Sequence, residues 1–212
     1  MEELIEKWKN RPMSWSQLSA FRDWDKELWY KRYILGEDIE GNKRMSFGSL
    51  VGKRIESDPT YIPMLPREGV CEFGIKVKMG DIELVGFLDS YSEELKIINE
   101  FKTSSAGGWN QKKVNSSDMA GGQLTFYALL LYLKYGIDPS DLTIRLHHLH
   151  VCENGDFSIA FCKPFKIDTY ITKRTKKDVL MFGAEILQVR KQMEEYARER
   201  LSTDFSLQKS VD

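Results

Sequence analysis

The sequence predicts an α/β fold in one domain that spans residues 1–212. Two blocks, residues 70–103 and 142–162, alternate apolar and polar residues with the period of two that is typical of strands. Segments before, between and after these blocks repeat their apolar residues at intervals near 3.6, which is typical of helices. With 42% hydrophobic residues, the chain carries enough apolar material for a core of its own.

The N-terminal part of the chain predicts helices. Residues 13–35 begin with a serine-rich capping signature and then place apolar residues at helical spacing, which indicates a helix or a helix pair. Residues 47–57 follow a polar loop. Gly48, Gly52 and Glu56 lie four apart there, so they share one face if the segment is helical.

Three strands of a meander are predicted from Val70 onward. The first two join at Met79-Gly80-Asp81, and the third ends near Thr103. A loop rich in glycine and serine follows at residues 104–122, and it leads into a strongly apolar helix at residues 123–136.

The C-terminal part predicts a hairpin and a long helix. Asn154-Gly155 suits a type I′ turn between the two strands of residues 142–162. A helix from about Lys173 to Arg200 is charged on one side and apolar on the other. The basic stretch Thr172 to Lys177 is expected to be its solvated start, with contact to DNA phosphates as the alternative.

Charge and cysteine content bound the class of protein. A formal net charge of -1 does not demand a polyanionic partner, so any nucleic-acid site must come from local basic patches. Cys71, Cys152 and Cys162 are an odd number at wide spacing, which argues against a disulfide framework and fits a reducing compartment. The expected location is the cytoplasm, or the host cytoplasm for a viral protein. The longest apolar run, Leu124 to Leu133, is about half a membrane span, so no membrane association is predicted.

Opposite charges lie on one face of the third predicted strand. Because side chains alternate along a strand, Glu100 and Lys102 point to one face and Phe101 points to the other. Asp89 ends the preceding strand, and the antiparallel pairing brings its carboxylate beside Glu100. Two carboxylates and an ammonium group are therefore expected at one place.

This combination predicts a metal site. Clustered carboxylates repel each other unless a cation neutralises them, and Mg²⁺ and Mn²⁺ prefer such oxygen ligands. An ion of this kind activates water and stabilises charge on a phosphoryl group, which is the chemistry of phosphodiester hydrolysis. Lys102 is expected to orient groups and stabilise charge, because the carboxylates favour its charged form. The alternative is that these residues form an ordinary solvated cross-strand ion pair without a catalytic role.

The pattern of Asp89 followed by Glu100-Phe101-Lys102 resembles the D-(x)n-E-x-K core of the PD-(D/E)XK nuclease superfamily. Further motifs are similar to those of its RecB-like branch, which includes helicase-associated nucleases and CRISPR adaptation nucleases. They are the pair Gln123 and Tyr127, which matches QxxxY; residues 14–21, which resemble S-x-S-x-L-x-x-F; and residues 48–56, which resemble G-x-x-x-H-x-x-x-E.

The resemblance implies a restriction-endonuclease-like central mixed sheet with helices on both faces. It implies a catalytic set and a metal-binding set: Asp89, Glu100, Lys102, Gln123 and Tyr127 for catalysis, and Asp89, Glu100, the Phe101 backbone carbonyl and Glu56 for the metal. Gly52 departs from the branch, because a metal-binding histidine is usual there. Three cysteines are one too few for the iron–sulfur cluster of the CRISPR nucleases, so no cluster is predicted.

The implied function is metal-dependent cleavage of DNA. Exonuclease action on DNA ends is the commoner habit of the branch, but the choice between exonuclease and endonuclease action stays open. The expected partner is DNA, either single-stranded DNA or DNA ends. The pathway, whether repair, recombination, phage genome processing or CRISPR-type processing, stays open, as does a protein partner or a homo-oligomer. The competing hypothesis is a catalytically impaired member that acts as a DNA-binding or assembly subunit. A structural domain without nucleic acid is a more distant alternative.

The sequence offers two secondary candidate sites beside the main one. Trp109, with Lys112 and Lys113, either grips a DNA strand from its loop or caps the core. A zinc site built from histidines 147, 148 and 150 with Cys152 is disfavoured, because same-face positions along one strand lie nearly 7 Å apart and converge poorly on one ion.

Overall fold

The computed structural model describes residues 2–117, 121–156 and 158–208, and it confirms the α/β fold. A mixed sheet of seven strands is flanked by helices. The strands are β1 (Met13–Ser14), β2 (Val70–Met79), β3 (Ile82–Ser92), β4 (Ile97–Ser104), β5 (Thr143–Glu153), β6 (Ile159–Phe161) and β7 (Ile167–Thr172). The helices are α1 (Glu2–Lys9), α2 (Trp15–Ser19), α3 (Lys26–Tyr30), α4 (Lys43–Ser57), α5 (Gln111–Asn115), α6 (Gly122–Tyr135) and α7 (Lys176–Gln208).

Strand β3 organises one half of the sheet. It pairs with β2 along its length in antiparallel fashion, as the predicted turn at Gly80 requires. Its first half also pairs with β1 in parallel, and its last residues pair with β4 in antiparallel fashion. The predicted meander is therefore confirmed, and a parallel strand is added to it.

Strand β5 organises the other half. It runs parallel to β4 on one side, and it pairs with β7 and then β6 on the other side. The parallel β4–β5 connection passes through α6, which is the crossover helix that parallel strands need. The sequence pattern did not identify β7 as a separate strand.

Helix α6 lies at the centre of the core. Residues 124–131 are all buried, because this helix packs between the sheet and α7. Within residues 13–35, the second of the two predicted alternatives, a helix pair, is present as α2 and α3. Ser14 caps α2 and Asp25 caps α3 by accepting backbone N–H groups. None of the described helices is long and apolar enough to cross a membrane.

Helix α4 approaches β4 closely at Gly48. A Cβ atom at Gly48 would lie 2.9 Å from Thr103 Oγ1, so the absence of a side chain permits the contact. Below it, Val51 and Ile55 form a small apolar cluster with Leu149, and Phe101 packs against that cluster. Phe101 thus packs on the face opposite Glu100, as predicted.

Arg174 is buried, which contradicts the predicted solvated start of the last helix. Its guanidinium donates to Thr125 Oγ1 on α6 and to the carbonyl oxygens of Val114 and Ser116, each at 2.8 Å. The sequence shows only a basic stretch, whereas the fold brings the open carbonyls of the 111–117 segment over this one residue. Helix α7 then begins at Lys176, with Thr175 and Asp178 capping each other's backbone N–H groups.

Two turn and loop predictions need correction. The predicted two-residue type I′ turn is wrong, because Asn154 N–H bonds to the Ser158 carbonyl and so leaves three residues between them. Asp156 accepts from the N–H and hydroxyl of Ser158, which favours the longer connection. The predicted loop of residues 104–122 contains the short helix α5, and its residues 118–120 lie outside the described part of the chain.

The expectation of unpaired cysteines is also wrong. Cys152 on β5 is bonded to Cys162, and their Cα atoms are 5.1 Å apart. The hairpin between β5 and β6 brings these two residues together although ten positions separate them in the chain. Cys71 is free and exposed. The cysteine count therefore no longer argues for a reducing compartment.

We expect Arg174→Met to lower the free energy of unfolding by about 3 kcal/mol, because it leaves several buried oxygens without a donor. Lys177→Met removes the same charge from an exposed position nearby and serves as the matched control, with an expected change below about 0.5 kcal/mol. Urea unfolding measures both. Equal decreases in the free energy of unfolding of the two variants would show that the buried hydrogen bonds of Arg174 do not stabilise the fold.

Candidate active site

The site forms where strands β3 and β4 separate. Their pairing ends at Ser90 and Asn99, so Asp89 and Glu100 are the first residues beyond the paired segment. The Phe101 N–H donates to Asp89 Oδ2 at 2.6 Å instead of to a backbone carbonyl of β3. The carboxylate thereby replaces a ladder partner, and the fork opens beside it.

Asp89, Glu100 and Lys102 meet at this fork, as the sequence predicts. Glu100 Oε1 lies 2.6 Å from Lys102 Nζ, and the charge of Asp89 acts on both Glu100 and Lys102. The Glu100 side chain is 1% exposed, and its Oε2 has no hydrogen-bond partner among the described residues. Lys102 keeps 31% of its side chain exposed and so reaches the solvent side.

Burial and mutual repulsion shift the protonation of the cluster. Burial, reinforced by the charge of Asp89, raises the pKa of Glu100 to about 8. Burial also raises the pKa of Asp89, although Lys102 opposes the shift. Burial works to lower the pKa of Lys102, but Glu100 and Asp89 outweigh it and raise that pKa, so Lys102 stays charged. The cluster therefore carries a proton at neutral pH that a metal ion would replace.

A cavity of about 660 Å³ opens between α4 and the fork. Asp89, Phe101 and Lys102 line it from the sheet, and Glu56 lines it from α4. These groups fit a hard divalent cation, because the carboxylates supply acceptor oxygens and the buried Glu100 Oε2 has no donor within the described part of the chain. The structure thus brings Glu56 to the same cavity as the Asp89 carboxylate.

Gly52 lines the same cavity. A Cβ atom at this position would meet no heavy atom within 4 Å, so the space that a histidine would occupy in the RecB-like motif is open here. The departure from the motif therefore removes a side chain without filling its place.

Glu72 is a site residue that the sequence reasoning missed. It lies opposite Asp89 across β2 and β3, between the register pairs Cys71–Ser90 and Phe73–Leu88, and it lines the cavity. Its φ of 50° is in the left-handed region that non-glycine residues rarely adopt. Burial raises its pKa, and the charges of Asp89 and Glu56 raise it further. The tight turn at Gly80 fixes the register of this hairpin, so the position of Glu72 could have been deduced.

Gln123 and Tyr127 lie on α6 behind the cluster. Gln123 Nε2 donates to Tyr127 Oη at 2.7 Å, and Tyr127 is buried. Burial, with the charges of Glu100 and Asp89, raises the pKa of Tyr127 well above its usual range. Tyr127 therefore stays neutral beside the carboxylates, and neither residue lines the cavity.

The loop residues lie apart from this cavity. Trp109 is half-buried and packs against the main core, and its carbonyl accepts from the Tyr170 hydroxyl at 3.2 Å. The Lys113 ammonium donates to the Gly108 carbonyl at 2.7 Å, while Lys112 is exposed. The core contact favours the capping role of Trp109, and DNA contact by this loop stays a prediction.

The structure does not bring the three histidines of β5 and Cys152 together as a zinc site. Cys152 is bonded to Cys162, and His147 lies on the opposite face of the sheet, where it bonds to Asn99 and Thr169. Asp168 on β7 joins His148 and His150 instead, because β7 pairs with β5.

We expect Glu100→Gln to stabilise the metal-free protein. In the folded chain, Glu100 keeps its proton until about pH 8, whereas an ordinary glutamate loses it near 4.5, so the folded state binds more protons and its stability falls as the pH rises through this window. Glutamine cannot ionise. In EDTA, the melting temperature of the Glu100→Gln variant should exceed that of the wild type. The difference should grow toward pH 8, with about 2–4 °C for each kcal/mol of stability. Exposed Glu94→Gln is the control, and a lower melting temperature for Glu100→Gln would contradict the shift.

We expect Gly52→His to bind Mn²⁺ more tightly than the wild type, because it adds an imidazole to an open part of the cavity. The expected gain is about tenfold, or roughly 1.4 kcal/mol, by titration calorimetry. Gly52→Ala is the control, since it improves helix propensity by roughly 1 kcal/mol without adding a ligand. Equal Mn²⁺ affinities in the two variants would show that position 52 does not face the metal.

Comparisons with known proteins support the fold. Neither a protein-family model nor a curated protein sequence matches the chain. Solved structures do match it. A protein of Eubacterium rectale assigned as an exonuclease covers 91% of this chain and 84% of its own, at 12% identity and a TM-score of 0.54. A phage-related exonuclease of Haemophilus somnus covers 94% and 93%, at 16% identity and a TM-score of 0.51. The alkaline exonuclease LHK-Exo of Laribacter hongkongensis covers 98% and 100%, at 10% identity and a TM-score of 0.52. The chain therefore has the α/β nuclease fold of these proteins.

Proposed function

We propose that this protein is a metal-dependent DNA nuclease that acts on DNA ends. The observation that carries the proposal is the meeting of Asp89, Glu100 and Lys102 at the fork of β3 and β4, beside an open cavity of about 660 Å³. Burial of the Glu100 carboxylate next to Asp89 lowers the stability of the fold, because Glu100 Oε2 has no donor among the described residues. Carboxylates buried in this way are characteristic of functional sites.

Asp89, Glu100 and the Phe101 carbonyl would hold Mg²⁺ or Mn²⁺, with Glu56 as a further ligand. The bound ion would supply activation of water and stabilisation of charge on the phosphoryl group. Both ions prefer oxygen ligands of this kind, which supports the choice of metal.

The protein's own residues have distinct roles in this proposal. Lys102 reaches the cavity as a cation, so it can orient the attacking water and stabilise negative charge on the phosphate. It is poorly suited to act as a base, because Glu100 and Asp89 keep it protonated. Tyr127, which accepts a hydrogen bond from Gln123, keeps a neutral hydroxyl near the charges of Glu100 and Asp89, and the pair would support substrate placement from α6. Arg44 lines the cavity from α4, where it pairs with Glu153 at 3.2 Å, and it could exchange this exposed ion pair for a phosphate of the DNA backbone.

Exonuclease action is supported by the names of the structural neighbours. LHK-Exo has also been solved in complex with dAMP, a mononucleotide, and this structure matches the chain at 10% identity with a TM-score of 0.50. The cavity beside the fork of β3 and β4 is open to solvent, which suits entry of a DNA end. Membership of the RecB-like branch and the relation to CRISPR nucleases stay predictions from the motifs, as does a role in repair, recombination or phage genome processing.

The test is cleavage of end-labelled single-stranded and double-stranded DNA, in linear and circular form, with EDTA, Mg²⁺ or Mn²⁺. We expect cutting that requires the metal, spares circles and falls at least about 10²-fold in Lys102→Ala. Lys76→Ala removes an exposed lysine of the same sheet, which pairs with Glu83, and should cut like the wild type. If neither wild type nor variant cuts while both bind DNA, the protein is the binding subunit that Gly52 suggests.

Cleavage should also depend on pH. The proton on Glu100 competes with the metal below its pKa of about 8, so the metal-dependent rate at limiting Mg²⁺ should rise with pH and level off near that value. Saturating Mg²⁺ should move the rise to lower pH, because a higher metal concentration displaces the proton more easily. A rate independent of pH at limiting Mg²⁺ would contradict the role of Glu100 as a ligand.

A further inference from the structure

We propose that His148, His150 and Asp168 form a second metal site, which binds a transition-metal ion of the zinc class and stabilises the end of β4. The site lies outside the cavity of the proposed nuclease centre, and none of its three residues lines that cavity. The inference therefore does not depend on nuclease activity.

The register of the sheet places the three groups together. His148 is the partner of Lys102 on β4 and of Asp168 on β7, and His150 is the partner of Ser104. Paired residues on neighbouring strands point to the same face, and so do residues two apart on one strand. The three ligand groups therefore share a face with Lys102.

The side chains are already close to one another. One ligand atom from each residue lies within 4.8 Å of the other two. His150 Nε2 lies 2.7 Å from Asp168 Oδ2, and the His148 and His150 rings are stacked with centroids 4.1 Å apart. Ligand atoms bound tetrahedrally at about 2.0–2.1 Å from zinc lie roughly 3.3 Å from each other. Side-chain rotations that close a gap of at most roughly 1.5 Å would complete the set.

His148 has unused bonding capacity. It is fully buried, and its Nε2 lies 3.1 Å from the Ser104 carbonyl and 2.8 Å from Ser104 Oγ. Its Nδ1 is buried and has no hydrogen-bond partner among the described residues. Metal-binding histidines usually donate one ring N–H to a carbonyl while the other nitrogen binds the ion. Ser104 supplies this orienting contact.

A cation is already attracted to this position. The Lys166 ammonium lies 3.0 Å from Asp168 Oδ2, and its side chain is 58% exposed. Because this lysine is long and exposed, it can withdraw into solvent when an ion takes its place. A bound metal ion would therefore have to displace Lys166 from its ion pair with Asp168.

The ligand types select the ion. Two imidazole nitrogens and one carboxylate suit Zn²⁺ and Co²⁺, whereas Mg²⁺ prefers oxygen ligands alone. Three protein ligands leave a fourth coordination position for water. Water can reach it because the site is open to solvent at Asp168, whose side chain is 29% exposed. The ion would join β5 to β7 and, through His148 and Ser104, to the end of the strand that carries Lys102.

The test is retention of Co²⁺, whose visible absorption reports its coordination. Cys71→Ser protein is stripped with EDTA and dialysed against Co²⁺ with excess Mg²⁺, which saturates the oxygen site. No thiol is added, so Cys152 and Cys162 stay bonded. We expect one equivalent of Co²⁺ per chain, visible bands typical of nitrogen and oxygen ligands, and a higher melting temperature with Co²⁺ or Zn²⁺ than with Mg²⁺ alone.

Two variants locate the ion. His150→Gln should weaken Co²⁺ binding at least about 100-fold, because even loss of a group that only orients a ligand costs about 10–100-fold. Lys166→Met keeps the ligands, removes the competing cation from an exposed position, and should bind Co²⁺ more tightly than the wild type. The Glu100→Gln variant should retain Co²⁺ fully, which separates this site from the nuclease centre.

The proposal is overturned if the wild type retains no Co²⁺, or if His150→Gln retains it as well as the wild type. It is also overturned if Lys166→Met binds no more tightly, because the ion would then not lie at Asp168. Lys166→Met keeps the test valid even if His150→Gln folds poorly.

Discussion

The fork between β3 and β4 is the constraint on which the rest of the site depends. A pair of antiparallel strands normally satisfies every backbone group of its ladder, yet here Asp89 takes the place of a β3 carbonyl as the acceptor for the Phe101 N–H. This substitution lets the strands part without an orphaned donor. It also holds the carboxylate in one orientation next to Glu100, so the local backbone and the chemistry of the site are fixed by the same hydrogen bond.

A crowded group of carboxylates needs a rigid frame. On the opposite face of β4, Asn99 bonds to Glu68 and His147, and Arg145 pairs with Glu68 at 2.9 Å. Burial, with the charge of Arg145, lowers the pKa of His147 to about 4, so this histidine stays neutral and the network keeps its bonds at physiological pH. On the site's own face, the apolar helix α6 presents Tyr127 to Glu100. Packing from both sides holds the strained acidic cluster in place.

The site also shows how position can matter more than motif. Gly52 leaves space where a related motif has a histidine, while Glu72 brings a carboxylate from a strand that the motif does not include. Glu72 has the left-handed backbone of a strained residue, and such strain persists when the surroundings enforce it. Three carboxylates, those of Glu56, Glu72 and Asp89, therefore line the cavity together with two cations, Lys102 and Arg44.

Local periodicity by itself determined much of this protein. The turn at Gly80 and the alternation of β2, β3 and β4 placed Glu100 and Lys102 on one face with Asp89 beside them, and they also imply the position of Glu72. Only the tertiary structure decided how deeply Glu100 is buried and which strand meets β5. Burial of Arg174, the bond between Cys152 and Cys162, and the approach of Asp168 to His150 follow from those pairings. Periodicity belongs to short segments, whereas burial and contact depend on segments far apart in the chain, whose pairing no local pattern specifies.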